Sequence, residues 1–384
     1  MKPRLLFIPA IHGFQKPGNG GQLRTRGLIE GLTLEFDVDI YSHHHKVGDS
    51  KNTIDFADNV CPLWHRTLIQ QLNIRVIGRL VKVACRLLFP LSLPNQSSGN
   101  NIIRGLITAF LKQKKAREYD LIMFDTLILT PFSIPSEVRK KTWFSLHNID
   151  STIHKENLFY EWHESNLNKF CNGVIVCTKY DEKIISSRNP NVKTLVWANG
   201  CFPPIRLNQN PTKNFDVAFV GSLNYQPNID GLKFFFSQVV PSLTKPIKIL
   251  VLGRNPSAEF AEFLKSNHNT TVKANVANIE DWLPQAKASI VPLLEGSGSR
   301  LKIAESLILG LPCISTELGA EGYPTSSNGL FITPDNDGIA FARAVDYVLD
   351  KDIDNHQIQI DAEQFLWSNT IRATQLLQHL KQEQ

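Results

Sequence analysis

A glycine- and serine-rich loop, followed closely by two cations and an acid, is the stretch of this 384-residue sequence whose residue types and spacing could do chemistry. The loop is Gly296-Ser297-Gly298-Ser299, and Arg300, Lys302 and Glu305 follow it. Free backbone N–H groups in such a loop, together with the start of a helix, bind anions. Two cations beside those groups suit a diphosphate, and a carboxylate set one turn further on suits a pair of ribose hydroxyls. The stretch therefore predicts a nucleotide-binding site.

The flanking residues predict the elements that must position this loop. Ser289–Val291 belongs to a short β-branched apolar run that is typical of a buried parallel strand. An apolar helix is expected over residues 301–309, ending at Gly310 and Pro312, and a second strand over Cys313–Thr316. Strand, loop, helix and strand form a βαβ unit. Glycine loops also occur in ordinary buried crossovers, but the coincidence of loop, cations, acid and helix favours a nucleotide site.

This stretch resembles the donor-binding segment of the family 4 retaining glycosyltransferases, which have the GT-B fold. The shared motif runs PL…G-x-G-x-R-L-K-x-x-E and ends in GAEG, here at Gly319–Gly322. The resemblance implies that Glu305 is the second acid of the family's Glu-x7-Glu signature and holds the nucleotide ribose. At the position of the first acid the sequence has Ser297, and Glu295 lies two residues too early. Because the family's first Glu contacts donor-sugar hydroxyls, this departure bears on sugar identity more than on the fold.

The same resemblance implies the other residues of the donor site. Family members commonly have an Arg in the turn after the first strand of this domain and a Lys six residues on, both for the phosphates. In this sequence the turn is Gly221-Ser222 and the later position is Asn228, so charge neutralisation falls to Arg300 and Lys302. The turn at Asn275-Val276 occupies the place where the family holds the base through backbone contacts.

Two segments nearer the N-terminus are candidates for the acceptor side of the site. A strand is expected at residues 5–9, followed by a glycine loop ending in Gly20-Gly21 and a helix over residues 22–34. The loop and the helix start resemble the family's GG-x-x-R segment, with Arg24 in the first helical turn. His147-Asn148 follows an apolar strand, at a carboxyl end where open parallel sheets bind ligands. It resembles the family's His-Asn-x-Glu/Asp segment at the lip of a cleft. We expect His147 to contact the transferred sugar or the acceptor without acting as a base.

Strands that alternate with helices throughout predict doubly wound parallel sheets, and the resemblance implies an α/β GT-B architecture. In it, two Rossmann-like domains would face each other across a central cleft. The acceptor-side domain is expected over residues 1–203 and the nucleotide-sugar domain over residues 204–361, with a turn and linker signal at Asn199–Pro204. A C-terminal helix within residues 362–384 would cross back to the first domain. Single helices are also expected over residues 154–171 and 279–286.

Composition and short motifs narrow the class of protein. Apolar residues make up 42% of the sequence, which permits full cores, and a net charge of +5 gives no reason to expect a nucleic-acid partner. The six cysteines lack metal spacing, and no leader core or membrane-spanning run is found, so a cytoplasmic protein, or one peripheral on the cytoplasmic face of the membrane, is expected. Asp37-Val38-Asp39 imitates a metal motif within a strand pattern, and His43–His45 fits a polar strand end. No metal is expected, and no cofactor beyond the nucleotide sugar.

Residues 66–117 form a basic segment, with ten Lys or Arg and no acid. A helix over residues 74–91 would carry four of these cations on one face: Arg75, Arg79, Lys82 and Arg86. Apolar residues would line the other face, and residues 102–117 repeat the mixture. The pattern predicts docking on an anionic membrane or a lipid-linked acceptor. The alternative is a pair of ordinary amphipathic helices packed on the first domain.

The resemblance implies transfer of a sugar from a nucleotide sugar to a hydroxyl of a saccharide or lipid-linked acceptor, with retention at the anomeric carbon, in bacterial-type polysaccharide or glycolipid assembly. Arg300 and Lys302 would stabilise the leaving diphosphate. Three alternatives stay open. A nucleotide-sugar 2-epimerase shares the fold, although its extra acid and base are not located, and a dinucleotide oxidoreductase needs a G-x-G-x-x-G that PGNGGQLRTRG lacks. A non-catalytic sugar-nucleotide-binding scaffold would fit Ser297, Ser222 and Asn228.

Overall fold

The computed structural model divides the chain into two compact α/β units. The first unit is Met1–Trp197 together with Ile371–Gln384, and the second is Ala198–Thr370. The residues that the structure describes are 2–10, 20–41, 59–61, 98–153, 158–204, 212–267, 269–296, 298 and 300–382. The predicted α/β class is confirmed, because each unit is a parallel sheet whose strands alternate along the chain with helices.

The first unit is built on a seven-stranded parallel sheet of order β3-β2-β1-β4-β5-β6-β7. Its strands are β1 (Arg4–Pro9), β2 (Asp37–Tyr41), β3 (Asn59–Cys61), β4 (Leu121–Asp125), β5 (Thr142–Ser145), β6 (Gly173–Val176) and β7 (Lys193–Val196). Its helices before residue 198 are, within the described ranges, α1 (Gly20–Thr33), α2 (Ser98–Leu111), α3 (Lys114–Arg117), α4 (Ser136–Arg139), α5 (Asp150–Ile153), α6 (Leu158–Ser165) and α7 (Lys179–Arg188). The central strands β1 and β4 are buried on both faces, which is why they are continuous apolar runs.

The second unit is built on a six-stranded parallel sheet of order β10-β9-β8-β11-β12-β13. Its strands are β8 (Phe215–Ser222), β9 (Ile249–Arg254), β10 (Thr270–Ala274), β11 (Ala286–Val291), β12 (Cys313–Thr316) and β13 (Leu330–Thr333). Its α-helices are, within the described ranges, α8 (Gln226–Phe234), α9 (Ala258–Ser266), α10 (Leu301–Ile308), α11 (Gly338–Asp350), α12 (Asn355–Ala362) and α13 (Trp367–Thr370). The predicted βαβ unit is confirmed as β11, α10 and β12.

In both sheets the strand order reverses at one point. The first three strands of each sheet are added toward one edge, and the later strands are added toward the opposite edge. The reversal therefore falls between β1 and β4 in the first unit and between β8 and β11 in the second. Loops diverge at such a point and leave a crevice at the carboxyl edge, where open α/β sheets bind ligands. The glycine loop follows β11 directly, and His147 follows β5, which pairs with β4. Each candidate segment therefore lies at the carboxyl edge of its own sheet.

The chain after Ala362 is not the single helix that the sequence predicts. Leu366 is extended between a 3-10 turn at Glu363–Phe365 and α13, because it pairs with Cys201 in an isolated parallel bridge. The Cys201 amide donates to the Phe365 carbonyl at 2.8 Å, and the Trp367 amide donates to the Cys201 carbonyl at 3.0 Å. These main-chain bonds replace helical ones, so the helix is interrupted here.

The last helix, α14 (Ala373–Gln382), belongs to the first unit, as predicted for the C-terminal helix. The indole of Trp197 donates to Gln375 at 3.4 Å, and the ring of His379 lies 5.6 Å from that of Trp143. Ile371, just before α14, lies where a Cβ on Gly31 of α1 would be only 2.6 Å away. A glycine at that position of α1 is therefore needed for this close approach.

Two other predicted helices differ from the structure. Residues 279–286 form 3-10 turns at Ile279–Asp281 and Leu283–Gln285, and β11 already begins at Ala286. Pro284 lies in the second turn, and proline lacks the N–H that an α-helix interior requires. In the predicted helix over residues 154–171, α6 ends at Ser165 and a 3-10 turn follows at Leu167–Lys169.

The first part of the basic segment lies outside the described residues, and the second part includes α2, which packs in the core of the first unit. The predicted helix over residues 74–91, with its four aligned cations, lies outside the described residues. In the second half, α2 buries Ile107 and Phe110 in the core of the first unit. Arg104 is also buried: its Nε donates to the Thr130 carbonyl at 2.5 Å, and its guanidinium lies 4.6 Å from the Phe132 ring. For α2 the ordinary amphipathic alternative is therefore correct.

Among the helices of the described ranges, none has the length and apolar character needed to cross a membrane.

Candidate active site

The glycine loop of the second unit is held in place by the residues that follow it. Gly296 and Gly298 have φ values of 122° and 75°, in the left-handed region that favours glycine. Arg300 folds back over this loop and donates from Nη1 to the Gly298 carbonyl. The hydroxyl of Tyr323 donates to the Arg300 carbonyl at 2.7 Å, which fixes the start of α10. Both Ser297 and Ser299 of the predicted loop lie outside the described residues.

Lys302 is held at the end of β8, where the strand order reverses. Its Nζ donates to Asn228 Oδ1 at 2.9 Å, and Asn228 Nδ2 donates in turn to the Ser222 carbonyl at 2.8 Å. The ammonium also lies 4.5 Å from the ring centroid of Phe219. A Cβ on Gly221 would lie 2.7 Å from Asn228 Nδ2 and 3.1 Å from Lys302 Nζ, so glycine keeps this space open. Asn228 therefore positions the ammonium of Lys302. The sequence showed only that Asn228 replaces the Lys of the family pattern, and it did not indicate this supporting role.

The two titratable groups of α10 are perturbed in opposite directions. Burial, followed by the neighbouring charge of Arg300, lowers the pKa of Lys302 to about 7, against the attraction of Glu305. Burial raises the pKa of Glu305 to about 7, against the attraction of Lys302. Both charged forms are therefore costly in the ligand-free protein. A phosphate beside Lys302 would favour its ammonium, and ribose hydroxyls would favour the carboxylate by donating to it.

The predicted base-binding turn follows β10 at the same edge of the sheet. Asn275 has a φ of 55°, its amide donates to the Gly253 carbonyl at 2.8 Å, and its side-chain oxygen accepts from the Asn255 amide at 3.2 Å. The ammonium of Lys273 lies 4.5 Å from the Trp282 ring centroid. Val276 is partly exposed next to this turn. The second sheet thus presents the glycine loop, Lys302 and the Asn275 turn at its carboxyl edge.

In the first unit, the predicted His147 contacts a buried acid that the sequence analysis did not select. Its Nε2 lies 2.5 Å from Oδ1 of Asp125, the last residue of β4. The other carboxylate oxygen, Oδ2, accepts from the hydroxyl of Thr25 in α1 at 2.6 Å. The signal that could have identified Asp125 is an acid at the carboxyl end of an otherwise apolar strand, LIMFD.

The residues of the predicted GG-x-x-R segment all belong to α1. Gly20 and Gly21 are the first residues of this helix rather than the end of a loop. Arg24 is only 1% exposed, and it donates to the Trp197 carbonyl at 3.2 Å and to the Ser145 hydroxyl at 3.4 Å. These bonds connect α1 to β5 and to the end of β7. Contact of this segment with an acceptor stays a prediction.

The loop after β5 is anchored on both sides of the partly exposed Asn148. The Cys177 thiol donates to the His147 carbonyl at 3.2 Å. Further along, the buried Glu164 accepts from the amide of Ser151 at 3.1 Å and from its hydroxyl at 2.6 Å. Burial, followed by the charge of Glu164, raises the pKa of Asp150, the first residue of α5, to about 7. The His147 segment is therefore built into the first unit at both ends.

Within the described residues, no group of three or more His, Cys, Asp or Glu is arranged to hold a metal ion. Asp39 of the Asp37-Val38-Asp39 motif accepts from Arg4 Nη2 at 3.0 Å and from the Tyr119 hydroxyl at 2.8 Å. The strand interpretation of this motif is confirmed by β2. His43–His45 lie outside the described residues.

Comparison with known proteins finds a family model that matches most of the second unit. Residues 214–351 match the family model described as Glycosyl transferases group 1. A curated relative, an uncharacterized 44.6 kDa protein in the cps region of Klebsiella pneumoniae, is 24% identical over 220 residues, which are 52% of this chain and 55% of the relative. The chain thus spans about half the length of this relative.

Solved structures with a similar fold cover nearly the whole chain. A glycosyltransferase from Rickettsia africae superposes with a TM-score of 0.61 at 14% identity, over 99% of this chain and 98% of that one. Anabaena Alr3699/HepE, solved in complex with UDP and glucose, has a TM-score of 0.59 at 14% identity, over 99% of this chain and 100% of that one. The fold is therefore the two-domain GT-B architecture. Residues 214–351 match the model of the group 1 glycosyltransferases, so the resemblance read from the sequence is confirmed for that region.

Proposed function

We propose that this protein is a retaining glycosyltransferase that moves a sugar from a nucleoside diphosphate sugar to an acceptor hydroxyl. The observation that carries the proposal is the position of Lys302, supported by Asn228 at the strand-order reversal of a group 1 glycosyltransferase domain. An ammonium there, beside a glycine loop, is suited to the charge that develops on a leaving diphosphate. Since Arg300 and Lys302 supply positive charge, we propose that the reaction needs no metal.

Each remaining candidate residue has a separate role in this proposal. Glu305 accepts hydrogen bonds from the ribose hydroxyls, and backbone groups of the Asn275 turn hold the base. Positive charge develops on the transferred sugar, and His147 contacts that sugar or the acceptor. The donor is proposed to be a UDP-sugar, since the similar Anabaena protein was solved with UDP and glucose. The acceptor is a saccharide or a lipid-linked saccharide in bacterial-type polysaccharide or glycolipid assembly, in keeping with the relative from a cps region.

A thermal-shift panel of nucleotide sugars tests the donor proposal. At about 100 times its Kd, a ligand that binds only the folded protein adds about 2.7 kcal/mol to the free energy of unfolding, so the correct donor should raise the Tm clearly. We expect UDP and one UDP-sugar to do so, with nicotinamide dinucleotides and nucleoside monophosphates as controls. No stabilisation by any nucleotide sugar would contradict the proposal. Stabilisation without hydrolysis or transfer of the sugar would favour the non-catalytic scaffold instead.

We also propose that the first unit docks on an anionic membrane surface. The proposal rests on the sequence pattern that predicts four cations on one helical face within residues 74–91. It rests also on the exposed Lys112, Lys114 and Lys115, which continue the basic segment after α2. Near an anionic leaflet each such cation contributes about 1 kcal/mol, within a Debye length of the surface. Docking there would bring a lipid-linked acceptor to the enzyme.

Liposome flotation tests the docking proposal. Binding should require anionic lipid, decrease with salt, and fall when Arg75, Arg79, Lys82 and Arg86 are replaced by Gln. Replacing the exposed lysines of the second unit, Lys245 and Lys265, by Gln is the matched control, which should leave binding unchanged. If the wild-type protein stays in the soluble fraction with anionic liposomes at low salt, docking is wrong and a soluble acceptor is favoured.

A further inference from the structure

Asp125 is a buried carboxylate with a defined set of hydrogen-bond partners in the first unit. Its side chain is 0% exposed, and it is the last residue of β4, beside the strand-order reversal. A buried carboxylate is stable only when donors surround it. Here one oxygen lies 2.5 Å from His147 Nε2 and the other accepts from Thr25 at 2.6 Å. This carboxylate therefore connects α1 to the loop that carries His147.

The chemistry of the pair determines which ring nitrogen of His147 carries the proton. A carboxylate only accepts hydrogen bonds, so Nε2 must be the protonated nitrogen. In the neutral ring Nδ1 is then an acceptor. The ring is only 9% exposed, and its main chain is held by Cys177 from the end of β6. Tautomer and orientation are thus fixed from two neighbouring strands.

We propose that Asp125 is a positioning residue that holds His147 in the Nε2–H tautomer, so that the substrate hydroxyl meeting Nδ1 must act as a donor. This inference rests on the proposed function in one respect, the contact between His147 and the sugar or acceptor. It goes beyond that proposal because it assigns the direction of the hydrogen bond. A substrate with a fluorine or a deoxy position in place of that hydroxyl would lose the interaction.

A purely structural role for Asp125 gives a different expectation. In that case the carboxylate serves only to bind Thr25 and anchor α1, and the state of His147 does not depend on it. Thr25→Val separates the two roles, because it removes the α1 bond and leaves the carboxylate facing His147. We expect Thr25→Val to lower the Tm while preserving the His147 tautomer and turnover.

The test is nitrogen NMR of protein labelled with ¹⁵N-histidine, with His147→Gln used to assign the His147 signals among those of the 11 histidines. Wild type should show protonated Nε2 and unprotonated Nδ1 at a pH where the ring is neutral. Asp125→Ala should lose this preference, and Asp125→Asn, which keeps one acceptor oxygen, should be intermediate. Turnover should decrease in the same order, from wild type to Asp125→Asn to Asp125→Ala. For Asp125→Ala we expect a loss of about 10²-fold, which is the cost of a misplaced group at a reaction centre. The affinity for UDP should stay within twofold of wild type.

The matched control is Asp39→Asn, which changes another buried carboxylate of the same sheet that also accepts from two side chains. It should change neither the His147 signals nor kcat. The proposal is overturned if wild-type His147 carries its proton on Nδ1, or if folded Asp125→Ala keeps both the wild-type tautomer and wild-type kcat/KM. The wild-type measurement decides even if Asp125→Ala does not fold. Because the NMR result needs no substrate, a protein that binds no nucleotide sugar would contradict the proposed function and leave the tautomer assignment standing.

Discussion

Replacement of Lys302 by Met is expected to lower kcat/KM for sugar transfer by about 10²- to 10³-fold, the scale found when one charge-stabilising donor is removed from an active site. The ammonium is supported by Asn228 beside the glycine loop, and burial, together with the charge of Arg300, lowers its pKa to about 7. A bound anion favours the charged form of such a group, so its stabilisation should increase as the diphosphate leaves. Steady-state kinetics with the donor identified by thermal shift measures the effect.

Two further variants make the Lys302 prediction specific. Lys287→Met removes an exposed ammonium that bonds Asp216 at 2.8 Å, and it should leave kcat/KM unchanged, because surface ion pairs contribute little. Gly221→Ala keeps Lys302 but adds a Cβ 3.1 Å from its Nζ and 2.7 Å from Asn228 Nδ2. We expect this variant to lower donor affinity by displacing the ammonium. Wild-type turnover in Lys302→Met would show that the phosphates are neutralised elsewhere.

Replacement of Glu305 by Gln is expected to have opposite effects on binding and on stability. Loss of a charge-assisted hydrogen bond to ribose should weaken nucleoside diphosphate binding by about 1–3 kcal/mol. At pH 8, however, the ligand-free variant should have a higher Tm than wild type. Burial raises the folded-state pKa of Glu305 from 4.5 to about 7, so the folded protein holds this proton more tightly than the unfolded chain does. The free energy of unfolding therefore decreases as the pH rises from 4.5 through 7. Glu305→Gln removes this decrease, because Gln does not ionise.

Calorimetric titration with UDP and thermal melts at pH 5 and pH 8 measure both effects. The Tm advantage of Glu305→Gln should be larger at pH 8, where wild-type Glu305 is ionised. Glu262→Gln, at an exposed carboxylate paired with Lys265, is the control and should change neither quantity. Unchanged UDP affinity in Glu305→Gln would remove this residue from the ribose site, whatever the melts show.

The donor segment was predictable because its signals are local. A β-branched run, a glycine loop and a glycine stop define β11, α10 and β12, and the observed β12 is Cys313–Thr316 as predicted, while α10 ends one residue earlier than predicted. Pro284 could also have been read as a helix breaker. By contrast, α9 and β10, which complete the edge of the second sheet, were not predicted. Residues 270–274 are all partly or fully exposed, so this edge strand lacks the continuous apolar run that identifies the central strands.

The break at Leu366 had no local signal. Residues 362–381 have the periodicity of one amphipathic helix, but Cys201, far away in the sequence, competes for the main chain of Phe365 and Trp367. The main-chain hydrogen bonds to Cys201 form in place of the helical hydrogen bonds that a continuous helix would need at Phe365 and Trp367. This competition decides that Trp367 belongs to the second unit while α14 belongs to the first.

By itself, the sequence determined the α/β class, the order of most elements and the candidate residues for charge in the proposed donor site, because these follow from apolar periodicity, glycine and proline positions and residue type. Only the tertiary structure decided which polar groups meet. Lys302 bonds Asn228 from 74 residues away, Asp125 binds Thr25 from 100 residues away, and Arg24 bonds the Trp197 carbonyl from 173 residues away. The physical reason is the strand order, since a parallel sheet that reverses in its middle brings the ends of distant strands together at one edge.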